Sequence, residues 1–316
     1  MGKTAFIFPG QGAQYFGMGK DFYEQLPDSK AIYDRASALL GIDMAKLCFE
    51  ENEDLNITEY TQIAMVTTCM AILLQVGKTG LQADVCAGLS LGEYPAMMAC
   101  GVMSFEDGIQ VVRKRGILMQ QAVKPGIGAM SAVLGMDTDI IEKVCEDAEG
   151  IVSIANYNCP GQVVISGEKN SVDAAGDELK QKGAKKIIPL NVSGPFHSLM
   201  LREAGEKLYD VLQNVTVSEP KIPYIANVNA QAIYKKDGIR EILAKQVYSS
   251  VMWQQSVEHM IASGVDTFVE IGPGKTLSAF VKKIDRNCNV INIDKVEDLK
   301  KITELVNHEK IDLEGN

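Results

Sequence analysis

The stretch Gly88-Leu89-Ser90-Leu91-Gly92 constrains this chain more than any other part of it. It has the form G-x-S-x-G. Asp84-Val85-Cys86-Ala87 before it reads as a short buried strand, and Glu93 to Ala99 after it as the start of an apolar helix. A serine on such a strand-to-helix turn is exposed at a helix N-terminus, where unpaired N–H groups can stabilise an oxyanion. The two glycines let the backbone turn sharply and let a helix and a substrate come close. Pro95 falls near the first helical turn, where its missing N–H costs little. Ser90 is therefore the candidate nucleophile. The motif alone does not decide the matter, because a Gly-rich turn without chemistry is spelled the same way.

The surrounding pattern predicts an α/β fold. Residues 4–8 form a β-branched and aromatic run ending at Pro9-Gly10. Helical patterns follow over 19–26, 29–40, 43–50 and 59–78, then strand 84–88 and helices over 91–100 and 105–122. This alternation predicts a parallel sheet covered by helices. After Pro125-Gly126 the order changes. Strand 128–135, helix 138–148, strands 151–157 and 162–167, helix 169–182 and strand 184–189 spell βαββαβ, the ferredoxin-like split unit. The expected architecture is a large α/β-hydrolase-like domain, 1–125 and 194–295, carrying an inserted small ferredoxin-like subdomain over 126–193. Insertions are tolerated where chain ends lie close together at the surface. Beyond 195 come helix 198–213, strand 222–226, helices 238–248 and 253–263, and strand 266–271 running into Gly272-Pro273-Gly274. A charged tail, 296–316, is expected to be helical.

Bulk properties exclude several function classes. With 46% hydrophobic and 23% charged residues the composition is that of a soluble globular protein. No apolar run reads as long enough for a membrane span; the longest, near Ala64–Val76, contains Thr, Cys and Gln. The start of the chain lacks the features of a signal peptide. Seven cysteines without CxxC pairing fit buried free thiols in a reducing, cytoplasmic setting. The net charge of −10 argues against a nucleic-acid partner. Three histidines without metal-ligand spacing argue against a zinc site. Gly10-Gln11-Gly12 resembles part of a dinucleotide fingerprint, but Tyr15 stands where the third glycine belongs. Neither metal nor cofactor is expected.

Ser90 needs a base. His308 lies in the charged tail, and His259 in a helical segment without special turn chemistry. His197, in Ser193-Gly194-Pro195-Phe196-His197-Ser198, sits at a Gly-Pro turn before a helix and is the candidate. An α/β-hydrolase places an acid between serine and histidine in chain order. No acid between 90 and 197 stands out at a strand end. The expectation is a dyad whose histidine is oriented by something other than a carboxylate.

Several motifs in order resemble the malonyl-CoA:acyl-carrier-protein transacylases. They are Phe8-Pro9-Gly10-Gln11-Gly12-Ala13-Gln14, Gly88-Leu89-Ser90-Leu91-Gly92-Glu93-Tyr94, Arg115-Gly116 with Met119-Gln120, Asn158-Cys159-Pro160-Gly161-Gln162-Val163, and Gly194-Pro195-Phe196-His197-Ser198. Gln246 with Val251-Met252-Trp253, and Glu270-Ile271-Gly272-Pro273-Gly274, complete the set. The resemblance covers nearly the whole chain, from about residue 4 to 292. It implies that Ser90 becomes the acyl-serine and His197 its general base. It further implies that the main-chain carbonyl of Gln246 holds the imidazole tautomer, and that the N–H groups of Gln11 and Leu91 form the oxyanion hole. Arg115 would pair with the free malonyl carboxylate, a role suited to a planar guanidinium. Phe196 resembles the pattern of malonyl-selective members; its ring would crowd an α-methyl group. One departure stands out: the family's usual histidine before the nucleophile is here Leu89.

Each role has a plainer rival. Arg113-Lys114-Arg115 has the look of a solvated helix face, Gln11 of a tight-turn residue, Gln246 of a surface helix residue. Asn158 and Gln162 read as strand-end residues behind the site, and Met97, Met98 and Met119 as core. The implied activity is malonyl transfer from malonyl-CoA to acyl carrier protein for fatty acid synthesis, by a monomer. Alternatives are a stand-alone malonyl acyltransferase serving a polyketide synthase, an editing acyl hydrolase, and a non-catalytic carrier-binding module. Carrier proteins are usually acidic, as this chain is. Docking then needs a local basic patch, and Lys185-Lys186, Lys235-Lys236 and Lys282-Lys283 with Arg286 are the candidates.

Overall fold

A computed structural model describes residues 2–314 of the chain. Residues 315 and 316 of the tail, and the side chain of His308, lie outside the described residues. The first strand, β1 (Lys3–Phe8), is buried from its second residue onward on both faces, as befits the middle of a parallel sheet. Helices α1 (Lys20–Gln25), α2 (Pro27–Leu40), α3 (Met44–Phe49) and α4 (Thr58–Lys78) follow it. Strand β2 (Val85–Gly88) then leads into α5 (Glu93–Ala99) and α6 (Phe105–Gln121). Next come β3 (Gly128–Leu134), α7 (Thr138–Asp147), β4 (Val152–Cys159), β5 (Gln162–Glu168), α8 (Lys169–Gln181) and β6 (Lys186–Pro189). The chain continues through α9 (Arg202–Leu212), β7 (Tyr224–Ile225), β8 (Ala232–Ile233), α10 (Ile239–Gln246), α11 (Trp253–Ala262), β9 (Val265–Ile271), α12 (Thr276–Ile284), β10 (Asn289–Ile293) and α13 (Leu299–Glu314).

These elements build two sheets. The larger has the order β10-β9-β1-β2-β7-β8 and is parallel except for the β7–β8 pair. The smaller is antiparallel with the order β4-β5-β3-β6, and its βαββαβ sequence is the one the pattern predicts. It has its own apolar core around Val133, Ile141, Ile165 and Leu179. Reciprocal backbone bonds tie it to the larger sheet's side of the molecule. Val251 N–H donates to Ala155 at 2.8 Å, and Tyr157 N–H to Val251 at 3.0 Å.

Beside the short strand β8, which the pattern does not announce, two departures from the sequence reading stand out. By length and composition α4 is apolar enough to cross a membrane. Here it packs against α2 and α6, and its hydroxyls turn inward: Thr68 donates to Ala64 O at 2.9 Å and Thr61 to Leu55 O at 2.6 Å. The other departure is α12 and β10, which the pattern does not announce. Glu270, at the end of β9, caps α12 by accepting from the N–H groups of Leu277 (3.0 Å) and Ser278 (2.8 Å) and from the Ser278 hydroxyl (2.6 Å).

The carboxyl ends of β1, β2 and β9 point to one side of the parallel sheet, where loops from several strands can meet around a ligand. A cavity of about 270 Å³ lies there. It is walled by Pro9–Ala13 after β1, Leu89–Leu91 after β2, Leu277 and Phe280 of α12, and Met130, Asn156 and Val164 of the smaller sheet.

Candidate active site

The turn after β2 is tight on both flanks of the serine. A Cβ at Gly88 would overlap the carbonyl group of Gly92, and one at Gly92 would overlap the carbonyl of Phe8. Both positions therefore require glycine. Ser90 itself takes φ 52°, in the left-handed region that residues with a Cβ avoid. The effect is to lift Oγ off the sheet and into the cavity.

His197 meets it there, also at a positive φ of 60°. Its Nε2 lies 2.7 Å from Ser90 Oγ. Its Nδ1 faces two main-chain carbonyls, Gln246 at 2.8 Å and Ser249 at 3.2 Å. Carbonyls only accept, so Nδ1 carries the proton and the Nε2 lone pair is left to accept from the serine. Among the described residues no carboxylate bonds the imidazole. Burial lowers the His197 pKa to about 4, Arg115's charge adds to the effect, and the two carbonyls oppose it. The imidazole is neutral at neutral pH, the form a base requires.

Arg115 is buried, unlike its neighbour in the basic run. Arg113 stays near the surface, paired with Glu59 at 3.3 Å and stacked over Tyr60. Arg115 projects from α6 towards the cavity. Its Nη1 donates to Gln62 Oε1 at 2.9 Å, and its Nη2 to Gln246 Oε1 at 2.9 Å and Ser90 Oγ at 3.2 Å. Its guanidinium carbon sits 5.5 Å from the centre of the Tyr94 ring. Nε has no partner among the described residues. These partners are neutral, so a buried cation faces the nucleophile with its charge unmatched by a bonded carboxylate. Burial pulls its pKa down, and Tyr94 and Glu93 oppose that.

The remaining predicted residues fall as follows. Gln11 and Leu91 line the cavity into which Ser90 opens, and neither backbone N–H donates a hydrogen bond among the described residues. The Gln11 side chain is held by Thr58 at 3.4 Å. Phe196 is buried in the wall beside His197. Gln246 is fully buried, so the reading of it as a surface residue fails. Asn158 lines the cavity, its Oδ1 without a partner among the described residues, and Gln162, which also lines it, accepts from Lys283 at 3.1 Å. Met119 is both core and cavity lining, in contact with Gln62 at 3.6 Å, whereas Met97 and Met98 are core only. Leu89 presents an apolar surface to the cavity and packs with the cluster around Ala5 and Ile7. His259 lies on α11 and does not line the cavity.

Sequence reasoning missed four residues around the site. Gln62 and Tyr94 flank the guanidinium. Asn227 and Glu93 lie behind the serine. Asn227 accepts from Ser90 N–H at 2.6 Å, and Glu93 Oε2 accepts from Gln246 Nε2 at 2.8 Å. Glu93 is wholly buried. Desolvation lifts its pKa to about 7, against bonds from Gln246 and Asn227 and the charge of Arg115. A signal for Asn227 existed, since it follows the strand that neighbours β2 and so falls at the sheet's ligand-facing edge.

A neutral imidazole on a serine hydroxyl, with a buried cation facing the pair, defines a site for acyl transfer through an ester on serine. The chain belongs to the acyl transferase domain family, which it matches over residues 5–307, and within it to the malonyl CoA-acyl carrier protein transacylases. It is 45% identical over 304 residues to the malonyl CoA-acyl carrier protein transacylase of Bacillus subtilis (strain 168), covering 95% of this chain and 96% of that protein. The crystal structure of the transacylase from Clostridium perfringens superposes with a TM-score of 0.95 at 45% identity, covering 99% of this chain and all of that one. A malonyl-transacylase solved in complex with a type II PKS acyl-carrier protein superposes with a TM-score of 0.93 at 37% identity, covering 96% of this chain and 99% of that one.

Proposed function

We propose that this chain moves a malonyl group from malonyl-CoA to the phosphopantetheine thiol of acyl carrier protein, through a malonyl ester on Ser90. The observation that carries the reading is the buried Arg115 guanidinium within 3.2 Å of the serine oxygen. A neutral acyl group has no use for such a charge. A malonyl carboxylate completes it, by the charge-assisted, two-bonded contact that a planar guanidinium makes.

The steps follow from the geometry. Malonyl-CoA enters with its carboxylate against Arg115. That neutralises part of the charge that holds the His197 pKa down, so the imidazole becomes a stronger base as substrate arrives. His197 takes the Ser90 proton while Oγ attacks the thioester carbonyl. The N–H groups of Gln11 and Leu91 receive the developing oxyanion. The tetrahedral intermediate collapses, His197 returns the proton to the departing CoA sulfur, and malonyl-Ser90 remains. The carrier's thiol then repeats the sequence in reverse. The chemistry is complete with these side chains, so the proposal includes no metal or redox cofactor. Fatty acid synthesis is the proposed setting, in the cytoplasm, and the enzyme is proposed to act as a monomer. Seven buried free thiols support the reducing compartment.

Intact-mass measurement after mixing with malonyl-CoA tests the reading. A malonyl adduct on Ser90 that leaves when acyl carrier protein is added, and is absent from Ser90→Ala, is expected. Rapid release of free malonate without carrier would point to a hydrolase instead, and no adduct to a binding module.

A further inference from the structure

Ser90 is held in a conformation its own backbone disfavours, and such strain persists only where the surroundings enforce it. Side-chain amides grip it on both sides. Asn227, just beyond β7, accepts from Ser90 N–H at 2.6 Å and donates through Nδ2 to Gly88 O at 2.7 Å. Strand β2 pairs with β7 through Cys86 and Tyr224, so the Asn227 side chain carries the ladder on past the point where β2 turns away. On the other side, Gln246 Nε2 donates to the Ser90 carbonyl at 2.8 Å. Both grips end on one carboxyl oxygen. Glu93 Oε2 accepts from Gln246 Nε2 at 2.8 Å and from the Asn227 main-chain N–H at 3.2 Å. Asn227, Gln246 and Glu93 are all buried, and neither Asn227 nor Glu93 lines the cavity.

We propose that Asn227, braced by Glu93, is a positioning residue for the nucleophile. It holds Ser90 in the left-handed conformation that aims Oγ at His197 Nε2 and leaves the Leu91 N–H free for the oxyanion. Without its two bonds the Ser90 N–H and the Gly88 carbonyl lose their partners, and the turn relaxes towards an ordinary backbone conformation that carries Oγ off the imidazole. A displacement of that kind, on the order of 1 Å, is enough to cost about a hundredfold in rate. The inference rests on the seryl-ester mechanism proposed above, but not on the identity of the acyl group.

A fluorophosphonate reads serine positioning without malonate or CoA, since Oγ forms a bond to phosphorus as fluoride leaves. Its labelling rate is measured on the wild type, Asn227→Ala and Glu93→Gln, beside acylation by malonyl- and acetyl-CoA. Asn227→Ala is expected to slow all three reactions by a common factor of roughly 30–100. Glu93→Gln keeps an acceptor oxygen for both donors and should hold labelling within about fivefold of wild type. Malonyl-CoA binding is compared calorimetrically in Ser90→Ala and Ser90→Ala/Asn227→Ala, with dissociation constants expected to agree within about threefold. Wild-type labelling by folded Asn227→Ala overturns the proposal. Loss of binding in the double variant also overturns it, by making Asn227 merely structural. A wild-type protein that labels rapidly but takes no malonyl group contradicts the malonyl reading and leaves the positioning role to stand on the labelling rates.

Discussion

The His197 environment makes a quantitative claim at the scale of single residues. An exposed histidine titrates near 6.5. Burial and the neighbouring guanidinium bring this one to about 4. The base works in its neutral form, so protonation removes activity, and a lowered pKa moves that loss to lower pH. The pH profile of kcat/KM for malonyl-CoA reports the free enzyme. It is expected to stay flat as pH falls through 6.5 and to decline only near 4; an acid limb centred near 6.5 would contradict the burial argument. The same shift acts on stability. The unfolded histidine binds a proton before the folded one does, so this residue's contribution is complete above 6.5 and is lost as pH falls towards 4. Gly88 and Gly92 yield a second expectation. Their Cβ positions are filled by backbone, which cannot move aside as a flexible side chain can. Gly88→Ala or Gly92→Ala should destabilise the fold by about 2 kcal/mol or more in urea titration and slow Ser90 acylation as well. A stable, active alanine variant at either site would show that the turn is looser than the structure has it.

Among the elements, the ones legible in the sequence are those whose patterns are local. Asp84 to Ala99 reads as strand, turn and helix because Gly88, Ser90 and Gly92 state the turn outright, and β3 to β6 read correctly because each strand is bounded by turn residues. The pair α12 and β10 went unread. Thr276–Ile284 is short, and Asn289–Ile293 is a five-residue edge strand with asparagines at 289 and 292 that break the apolar pattern, so its identity depends on pairing with β9. The site shows the same division. Ser90, His197, Gln11, Leu91, Gln246, Arg115 and Phe196 all line or adjoin one cavity, and each belongs to a motif recognisable along the chain. Asn227 and Gln62 do not, and Glu93 stands in the motif around Ser90 without the motif stating a role for it, because what marks all three is a hydrogen bond to a residue distant in sequence. An element-level prediction follows from the α12 cap. Glu270→Ala removes the acceptor for two helix N–H groups and should cost about 1–2 kcal/mol, read as a lowered Tm. Leu277 and Phe280 of that helix wall the cavity, so KM for malonyl-CoA should rise more than kcat falls. An unchanged Tm and KM would mean that α12 is set by packing alone.

For the molecule as a whole, residues of both sheets line one cavity, and the thiols are spread through the three apolar cores. All seven cysteines are buried and unpaired. A thiol reagent should therefore react with almost none of them in the native protein and with all seven after denaturation; several fast-reacting thiols in the native state would contradict this packing. The central claim is that this assembly exists to hold a malonyl group, with Arg115 as the reason. The most direct test compares kcat/KM for malonyl-CoA and acetyl-CoA in wild type, Arg115→Ala and Arg115→Lys. Arg115→Ala should lose roughly 2–4 kcal/mol of transition-state stabilisation with malonyl-CoA. With acetyl-CoA the rate should hold or rise, because an unmatched buried charge is removed. Arg115→Lys should recover only part of the loss, since an ammonium cannot make the planar two-bond contact. Selectivity then collapses from the malonyl side alone. Equal losses with both substrates would make Arg115 a structural residue and contradict the account.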